Sequence, residues 1–589
     1  MHPEGVVPVR TPTARPRRAA PALLAVGALI VSLVAAGPAP ASTPCSTPPP
    51  TLPTAQMRPG MTGVGYTVLR GDTVVPFDVE ILGVIPNAIY LGVDVVAARI
   101  TGPIAFLNQT GGAVAGMSGS PIYVDGRLAG ALAWAIAMDR QIFGMTAAED
   151  MVGMFGLGGG AAVRIPDRVA LTPQILRAAM ASGADLSSTA TLEALPIPLG
   201  VSSASGRPLG EIESMFADRG VRVLPFRAGT VAVPSGATLE PGPLRPGEGF
   251  GAALSYGDIS WYGFGTTTAV CGSTAIAFGH PMFWGVGRVS LGMNEVDVIA
   301  IDNGVLWGTK IGVLGDARGA VTQDRFAGIA GVFGELPTLI PITSEVSSPD
   351  TGYRRTGRTD VAWDEDWFVA EATFAHAWSN LTYVAQQDGP GTLGLAWTIE
   401  GTRADGSAWT VSNRLMDHDP HSATSEAWRM TDVLQTLASQ EFEPIGFTSI
   451  DMEGTITEED LTSPIVRIRV SSPLQPALKD RWIVRAAHGD RLRVEVTLAP
   501  VERDSVVIAE LSLRVPRGAR GQERVTIRGG RGRLDWWRVG PGSLDDLLYA
   551  MNAGEARNEL IVRGLGRTLI QVQDVIVTGR AGFVVQVVR

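Results

Sequence analysis

A serine flanked by glycines in a predicted tight bend constrains the fold of this 589-residue chain more than any other feature. Residues 116–121 read Gly-Met-Ser-Gly-Ser-Pro, between the small-residue run 111–115 and the strand-like run 122–124. Such a bend can point the Ser118 hydroxyl outward while neighbouring backbone N–H groups converge on one spot, as an acyl-transfer nucleophile requires. Ser118 is therefore the first candidate for a reactive residue, although Gly-Ser turns between strands are also common.

The composition favours a globular β protein with many turns. The chain has 71 glycines and 40 prolines, with 45% hydrophobic and 18% charged residues, and its length suggests three or four domains at about 150 residues each. The net charge of −10 is spread along the chain without a basic stripe, which argues against a nucleic-acid partner. Lys310 and Lys479 are the only lysines, a bias to which we attach no functional weight.

The N-terminus resembles an export signal. A basic stretch at 15–18 and an apolar run at 20–36 precede Ala-Pro-Ala at 39–41, a signal-peptidase pattern. An uncleaved N-terminal anchor is the alternative. Because no other stretch reaches the roughly 18 apolar residues that a membrane span needs, we expect a secreted or cell-envelope protein without a span after signal removal.

The alternation of apolar residues and the placement of glycine and proline predict seven segments. They are a signal peptide at 1–41, a Pro/Thr/Ser-rich linker at 42–56, a serine-bearing β subdomain at 57–156, a mixed connector with helices at 157–249, a histidine-bearing β subdomain at 250–346, a β-rich module at 347–480 and a β-sandwich-like module at 481–589. Asp125-Gly126 predicts a hairpin turn. Short helices are predicted near 147–152, 172–182, 206–219 and 543–552.

The two cysteines, Cys45 and Cys271, are too few for a disulfide framework. The sequence leaves two alternatives, a single bridge between them or two unpaired cysteines. Among the histidines, His418 and His421 superficially resemble a metal cluster, but their spacing matches no zinc pattern. We therefore expect neither a metal nor an organic cofactor.

A serine nucleophile needs a base, and the chain has six histidines. His280 is the best placed, because it lies in a Gly-His-Pro turn at the end of an apolar strand. The alternative is a turn histidine without a catalytic task. His376 falls in a strand-like run and His488 precedes a Gly-Asp turn, so both are interpreted as structural.

Several motifs resemble the SpoIVB-type sporulation serine peptidases, a family similar to the chymotrypsin-like group. Those of the serine half are 76–81, 108–112, 116–122 and 125–131, and those of the histidine half are 263–266, 277–280, 319–321 and 328–334. The resemblance implies a two-part β-barrel core with Ser118 as nucleophile and His280 as base. It also implies an oxyanion hole formed by the backbone N–H groups of Gly116 and Ser118.

The chain departs from this family in three ways. Its serine half precedes its histidine half, the reverse of the family order, which resembles a circular permutation and can preserve a site defined by geometry. The family's aspartate, fifteen residues before the serine, is replaced by Pro103. The third catalytic member is then Asp297 on the histidine half, or alternatively Asp94 on the serine half, unless a Ser/His dyad suffices. The family's PDZ module is not recognisable.

The fold predicted from these observations is mainly β, a permuted chymotrypsin-like two-barrel core followed by β-sandwich modules. The predicted function is that of an exported serine endopeptidase acting on a protein or peptide, possibly itself. The alternative is a catalytically silent envelope scaffold, for binding or assembly, that retains the peptidase fold. The missing acid favours the scaffold, whereas the retention of Ser118 and His280 in their motifs favours the enzyme.

Overall fold

The structure is a computed structural model that describes residues 44–156, 166–202, 207–235, 239, 242–283, 287–419, 421–532, 540 and 542–588. The predicted signal peptide at 1–41 lies outside the described residues. Within the described ranges, every helix is too short or too polar to cross a bilayer.

Six strands of the serine-bearing segment close into a first barrel. The elements are β1 (Thr62–Arg70), β2 (Thr73–Tyr90), β3 (Val93–Gly102), α1 (Ile104–Thr110), β4 (Pro121–Val124), β5 (Arg127–Ala135) and β6 (Ile142–Ala147). Their order is β4-β1-β2-β3-β6-β5, and the pairing of β4 with β5 completes the ring. Asp125 and Gly126 both have positive φ, which confirms the predicted hairpin turn.

The following segment combines short helices with strands that extend both sheets. Its elements are α2 (Ala148–Gly153), β7 (Arg168–Ala170), α3 (Pro173–Ala181), β8 (Thr191–Ala194), β9 (Ile197–Ser202), α4 (Leu209–Ala217) and β10 (Val223–Ala228). The three helices predicted in this part of the chain are confirmed within a few residues. Thr172 caps α3, because its hydroxyl accepts the Ile175 N–H.

A second six-stranded ring is formed by the histidine-bearing segment. The elements are β11 (Gly249–Ala253), β12 (Ser255–Gly257), β13 (Trp261–Cys271), β14 (Thr274–Ala277), β15 (Arg288–Asn303), β16 (Gly308–Arg325) and β17 (Gly328–Phe333). The ring runs β13-β11-β15-β16-β17-β14, and β14 pairs with β13 to close it. The two rings match the predicted two-part barrel core.

The long hairpin β15–β16 connects the second barrel to the first. Val298 pairs with Gly71, and Thr309 pairs with Ala115 just before the Ser118 bend. Near the hairpin tip, Asn303 Nδ2 donates to the carbonyl oxygen at the end of α1. The hairpin therefore fixes the position of the serine segment against the histidine barrel.

A six-stranded sheet with two long helices follows. Its elements are β18 (Ile340–Ser347), β19 (Arg354–Val361), α5 (Asp366–Ala385), β20 (Gly391–Arg403), β21 (Ala408–Asp419), α6 (Ser422–Ser439) and β22 (Ile445–Thr457), in the order β12-β19-β18-β22-β20-β21. The strand-like interpretation of His376 was wrong, because this residue lies in α5. All residues from Phe368 to Ala377 are buried, so the helix lacks the amphipathic pattern that would have revealed it.

The C-terminal part contains two facing five-stranded sheets that share one core, as predicted for a β-sandwich. Its elements are β23 (Thr462–Ser472), β24 (Gln475–Lys479), β25 (Ile483–Ala487), β26 (Arg491–Leu498), β27 (Val507–Arg514), β28 (Gln522–Gly529), α7 (Leu544–Asn552), β29 (Glu559–Gly564), β30 (Arg567–Val572), β31 (Ile576–Thr578) and β32 (Arg580–Val588). The predicted boundary at 480 falls inside this sandwich, because β23 pairs with β26.

A disulfide joins Cys45 to Cys271, with 4.9 Å between their Cα atoms. Of the two alternatives that the sequence left open, the structure therefore has the bridge. It ties the first described residues to the end of β13 in the second barrel. The neighbouring residues 50–52 run beside β5, where the Leu52 N–H donates to the Leu128 carbonyl oxygen over 2.8 Å.

Candidate active site

Ser118 lies in a tight turn between α1 and β4 that only glycine can form. Gly116 and Gly119 have φ values of +90° and +97°, in the left-handed region that favours glycine. A Cβ atom on Gly119 would lie 2.0 Å from the Thr266 carbonyl oxygen, which is too close for any side chain. The Gly-x-Ser-Gly pattern therefore reflects both backbone conformation and the close approach of the second barrel.

Strand β13 of the histidine barrel holds this turn with three hydrogen bonds. The Thr266 N–H donates to the Ser118 carbonyl oxygen over 2.7 Å. The Thr266 hydroxyl donates to the Gly116 carbonyl oxygen over 3.0 Å, and the Thr268 hydroxyl donates to that of Gly119 over 2.8 Å. The serine turn thus belongs to one barrel in sequence and is positioned by the other.

His280 follows β14 in a turn with an unusual backbone. Phe278 has a φ of +70° and Gly279 one of +69°. A bulky residue with positive φ is strained, and such strain is concentrated at functional sites. The first barrel supports this turn, because the Thr146 hydroxyl donates to the Gly279 carbonyl oxygen. The Phe278 ring meets the imidazole edge to face, with centroids 5.9 Å apart.

The two turns bring Ser118 and His280 into hydrogen-bonding contact. Ser118 Oγ lies 2.9 Å from His280 Nε2, and His280 Nδ1 lies 2.8 Å from the Pro281 carbonyl oxygen. A carbonyl oxygen can only accept, so Nδ1 carries the proton that it donates. In the neutral ring Nε2 is then unprotonated and accepts the Ser118 hydroxyl, as a general base must.

The surroundings keep this imidazole neutral. Ser118 is 3% exposed and His280 is fully buried. Burial is the main cause that lowers the pKa of His280 to about 4; the hydrogen bond to the Pro281 carbonyl opposes the decrease, and the positive charge of Arg222 adds to it. At neutral pH the ring is therefore in the form that can take a proton.

Two backbone N–H groups of the serine turn are available to a ligand. Those of Met117, Gly119 and Ser120 donate to carbonyl oxygens of the first barrel. For the N–H groups of Gly116 and Ser118, no acceptor lies within the part of the chain that the structure describes. Because buried N–H groups are rarely left unpaired, these two are suited to bind an oxyanion.

Residues 47–152 match the family model of SpoIVB peptidase S55. Over this segment the chain is similar to the SpoIVB peptidase family. The matched residues include the first barrel and the Ser118 turn. This match confirms the resemblance inferred from the motifs and supports a serine-peptidase-type function, which implies a protein substrate. No curated protein and no solved structure matches the chain. The histidine barrel lies outside the matched segment, so the swapped order of the halves stays a prediction.

The two acids proposed from the sequence occupy other environments. Asp297 is exposed on β15, opposite Val313. Asp94 accepts hydrogen bonds from the Thr54 hydroxyl and the Asn87 N–H. The ring nitrogens of His280 bond instead to the serine hydroxyl and a backbone carbonyl.

A different carboxylate, Asp324 near the end of β16, lies behind the histidine turn. It is 1% exposed and accepts the N–H groups of Met282 and Phe283 over 2.9 and 2.7 Å. Burial raises the pKa of Asp324 to about 7, whereas these hydrogen bonds and the charge of Arg325 oppose the increase. This residue was not among the acids proposed from the sequence. The sequence signal that could have found it was an acidic residue at an inward-facing position of a barrel strand.

Lys310, one of the two lysines, is also buried beside the serine turn. Its Nζ donates to the Thr67 hydroxyl over 2.8 Å, and its backbone N–H donates to the Ala115 carbonyl oxygen. Its aliphatic stem covers Gly116, where an added Cβ would lie 3.0 to 3.2 Å from three carbons of the lysine. Burial lowers the pKa of Lys310 to about 7.

Two further histidines, His376 and His418, contact hydroxyl groups in other parts of the fold. His376 Nε2 and Nδ1 contact the hydroxyls of Ser344 and Thr359 in the third sheet, each over 2.9 Å. His418 Nδ1 lies 3.4 Å from a threonine hydroxyl. In the described ranges, no three His, Cys, Asp or Glu side chains are grouped as a metal site.

Proposed function

We propose that the protein is a serine endopeptidase in which Ser118 is the nucleophile and His280 the general base. The observation that carries this proposal is the 2.9 Å contact between Ser118 Oγ and His280 Nε2. The imidazole takes the hydroxyl proton as Oγ attacks a peptide carbonyl, and then gives it to the leaving amine. Water, activated in the same way, releases the acyl group.

The oxyanion of the tetrahedral intermediate would bind to the N–H groups of Gly116 and Ser118. Both amides are fixed before substrate arrives, because three hydrogen bonds join the turn to β13. Preorganised donors of this kind contribute about 10²–10³ each in rate. The turn therefore supplies both the nucleophile and the oxyanion hole.

The described conformation corresponds to a resting enzyme. With the Ser118 side chain nearly inaccessible, a substrate carbonyl reaches Oγ only after neighbouring residues move apart. Opening also hydrates the imidazole, which raises the pKa of His280 toward its ordinary range. A base with a pKa nearer the working pH is the more effective catalyst.

We further propose that the protein works outside the cytoplasm, on a protein substrate or on itself. The signal-like N-terminus and the Cys45–Cys271 disulfide support this location, because disulfides persist in oxidising compartments. N-terminal sequencing of native material should find a mature chain beginning near Ser42. A chain that retains residues 1–41 and is extracted only by detergent would establish the anchored alternative.

Labelling with a fluorophosphonate probe tests the catalytic proposal. The purified protein should label at Ser118. Both Ser118→Ala and His280→Gln should abolish labelling, because residues of one catalytic unit do not contribute additively. Ser344→Ala is the matched control, since Ser344 also lies 2.9 Å from a buried histidine, His376. That variant should label like the wild type.

The scaffold alternative makes the opposite prediction. A folded wild-type protein that neither labels nor cleaves an unfolded protein substrate would support a silent scaffold. Labelling that survives Ser118→Ala would locate the reactive group elsewhere and contradict the proposal.

A further inference from the structure

We propose that Asp324 is a positioning residue for His280, which it reaches through the peptide group between Pro281 and Met282. This proposal rests on the proposed function, because His280 matters as a base only if Ser118 reacts. In the SpoIVB-type family an aspartate lies fifteen residues before the serine, where this chain has Pro103. Asp324 would take over the role of that aspartate.

The geometry connects Asp324 and His280 through a single peptide plane. The Pro281 carbonyl oxygen accepts the proton of His280 Nδ1 over 2.8 Å. The N–H of the same peptide group, that of Met282, donates to Asp324 Oδ1 over 2.9 Å. The carboxylate, peptide group, imidazole and Ser118 hydroxyl therefore form one chain of hydrogen bonds.

This chain has an electronic consequence. A carboxylate bonded to a peptide N–H polarises that group and makes its carbonyl oxygen a stronger acceptor, because hydrogen bonds in series strengthen one another. The Pro281 oxygen then favours the tautomer with the proton on Nδ1. It also stabilises the imidazolium that forms when His280 takes the serine proton.

The second oxygen of Asp324 fixes the direction of the turn. Oδ2 accepts the Phe283 N–H over 2.7 Å, so two successive amides are bound to one carboxylate. Pro281 has no N–H of its own and a restricted φ. The backbone from Pro281 to Phe283 is thereby held in place, and with it the carbonyl oxygen that accepts the proton of the imidazole.

A purely structural role would not require a charged group here. A fully buried carboxylate is costly to desolvate, and a neutral acceptor could bind the same two amides without that cost. What the charge adds is a stronger bond to N–H donors and a field at the imidazole. We therefore assign the carboxylate to the orientation and protonation of His280.

The experiment uses the full-length protein with ¹⁵N-labelled histidine rings. Asp324→Asn keeps the shape and one acceptor oxygen but removes the charge. We expect its fluorophosphonate labelling rate to fall about ten- to a hundredfold, the usual cost of a small misplacement. We also expect the ring signals of His280 to shift as its tautomer and its bond to Ser118 change. The buried His376 is an internal control, and the chemical shifts of its ring should not change.

Asp360→Asn is the matched control variant. Asp360 is equally buried, and both its oxygens are bonded, to the guanidinium of Arg358 in the third sheet. This variant should leave both the labelling rate and the His280 signals unchanged. A change as large as that of Asp324→Asn would mean that any lost buried carboxylate has the same effect, and would overturn the proposal.

The two readouts separate this proposal from the proposed function. If the wild type labels and Asp324→Asn labels equally fast with unchanged His280 signals, Asp324 does not position His280. If the wild type does not label but Asp324→Asn still shifts the His280 signals alone, Asp324 positions His280 and the peptidase proposal is wrong.

A wild-type titration guards against a variant that fails to fold. The charges that act on this pair are the guanidinium groups of Arg325 and Arg222, which do not titrate. Lys310, beside the serine turn, has a pKa of about 7, so the titration is repeated with Lys310→Met. The His280 ring signals should therefore follow the ionisation of Asp324 near neutral pH. Signals that do not change between about pH 5 and pH 9 would overturn the coupling.

Discussion

Replacing Lys310 by Met should stabilise the protein at neutral pH. The Lys310 ammonium is buried against Gly116, and its hydrogen-bond partner is the neutral hydroxyl of Thr67. In the described part of the chain no carboxylate pairs with it. Burial of an ammonium without a counter-charge favours its neutral form, which is why the pKa of Lys310 is lowered from 10.5 to about 7.

The expected magnitude follows from this difference in pKa. Between pH 7 and pH 10.5 the unfolded chain binds more protons than the folded one, so the free energy of unfolding rises with pH in this window. At about 1.36 kcal/mol per pKa unit, the wild type should gain about 3 to 4 kcal/mol from pH 7 to pH 10. Lys310→Met lacks this increase, so its advantage should be largest near pH 7 and nearly vanish by pH 10.

The assay combines denaturant unfolding at the two pH values with NMR of ¹³Cε-labelled lysine. The chain has only two lysines, so each signal can be followed separately. Lys479 is exposed on β24, and Lys479→Met serves as the control that should leave the pH dependence unchanged. A Lys310 signal that titrates near 10, or a stability difference between Lys310→Met and wild type that does not vary with pH, would refute the reasoning.

Three further predictions concern the barrel contact, the disulfide and acid. Gly119→Ala should abolish probe labelling, because its Cβ would meet the Thr266 carbonyl oxygen at 2.0 Å; Gly153→Ala, with open space around it, is the control. Removing the disulfide, which closes a loop with a sequence separation of 226, should cost about 5 kcal/mol of unfolding free energy in the chain-entropy treatment, measured as a lower denaturant midpoint under reduction. The pKa values of His280 and His376 are lowered by burial to about 4, so the unfolded chain binds more protons below pH 6.5 and stability should fall on acidification. Each histidine should contribute up to about 3 kcal/mol, and His376→Gln should remove its share in unfolding curves at pH 7 and pH 4.5.

The local parts of the site could be read from the sequence because their signals are local. Gly116 and Gly119 adopt positive φ within the serine turn itself, and Gly279 does so beside His280. Backbone conformations of this kind require glycine whatever the surrounding fold, so they are visible in the sequence. The helix that begins after Ser543 was predictable for the same reason, since its capping residue lies next to it.

The acid could not be assigned from the sequence, because the role proposed for Asp324 depends on a contact across the barrel. Asp324 meets the peptide group after His280 only when β16 closes the second ring. Asp297 has the same residue type and lies on the adjacent strand, but it points outward. Residue type and proximity in sequence therefore do not separate the two carboxylates, which differ in burial and in hydrogen-bond partners.

What the sequence determined by itself was the mainly β character of the core, the two glycine-rich turns and the pairing of Ser118 with His280 as candidates. These properties are encoded in short stretches, where glycine placement and strand alternation limit the backbone directly. The tertiary structure alone decided that both rings close, that β15–β16 places Lys310 under the serine turn, and that α5 is a buried helix. Those outcomes depend on contacts between residues far apart in the chain. Such contacts stabilise the structure only once the chain has folded.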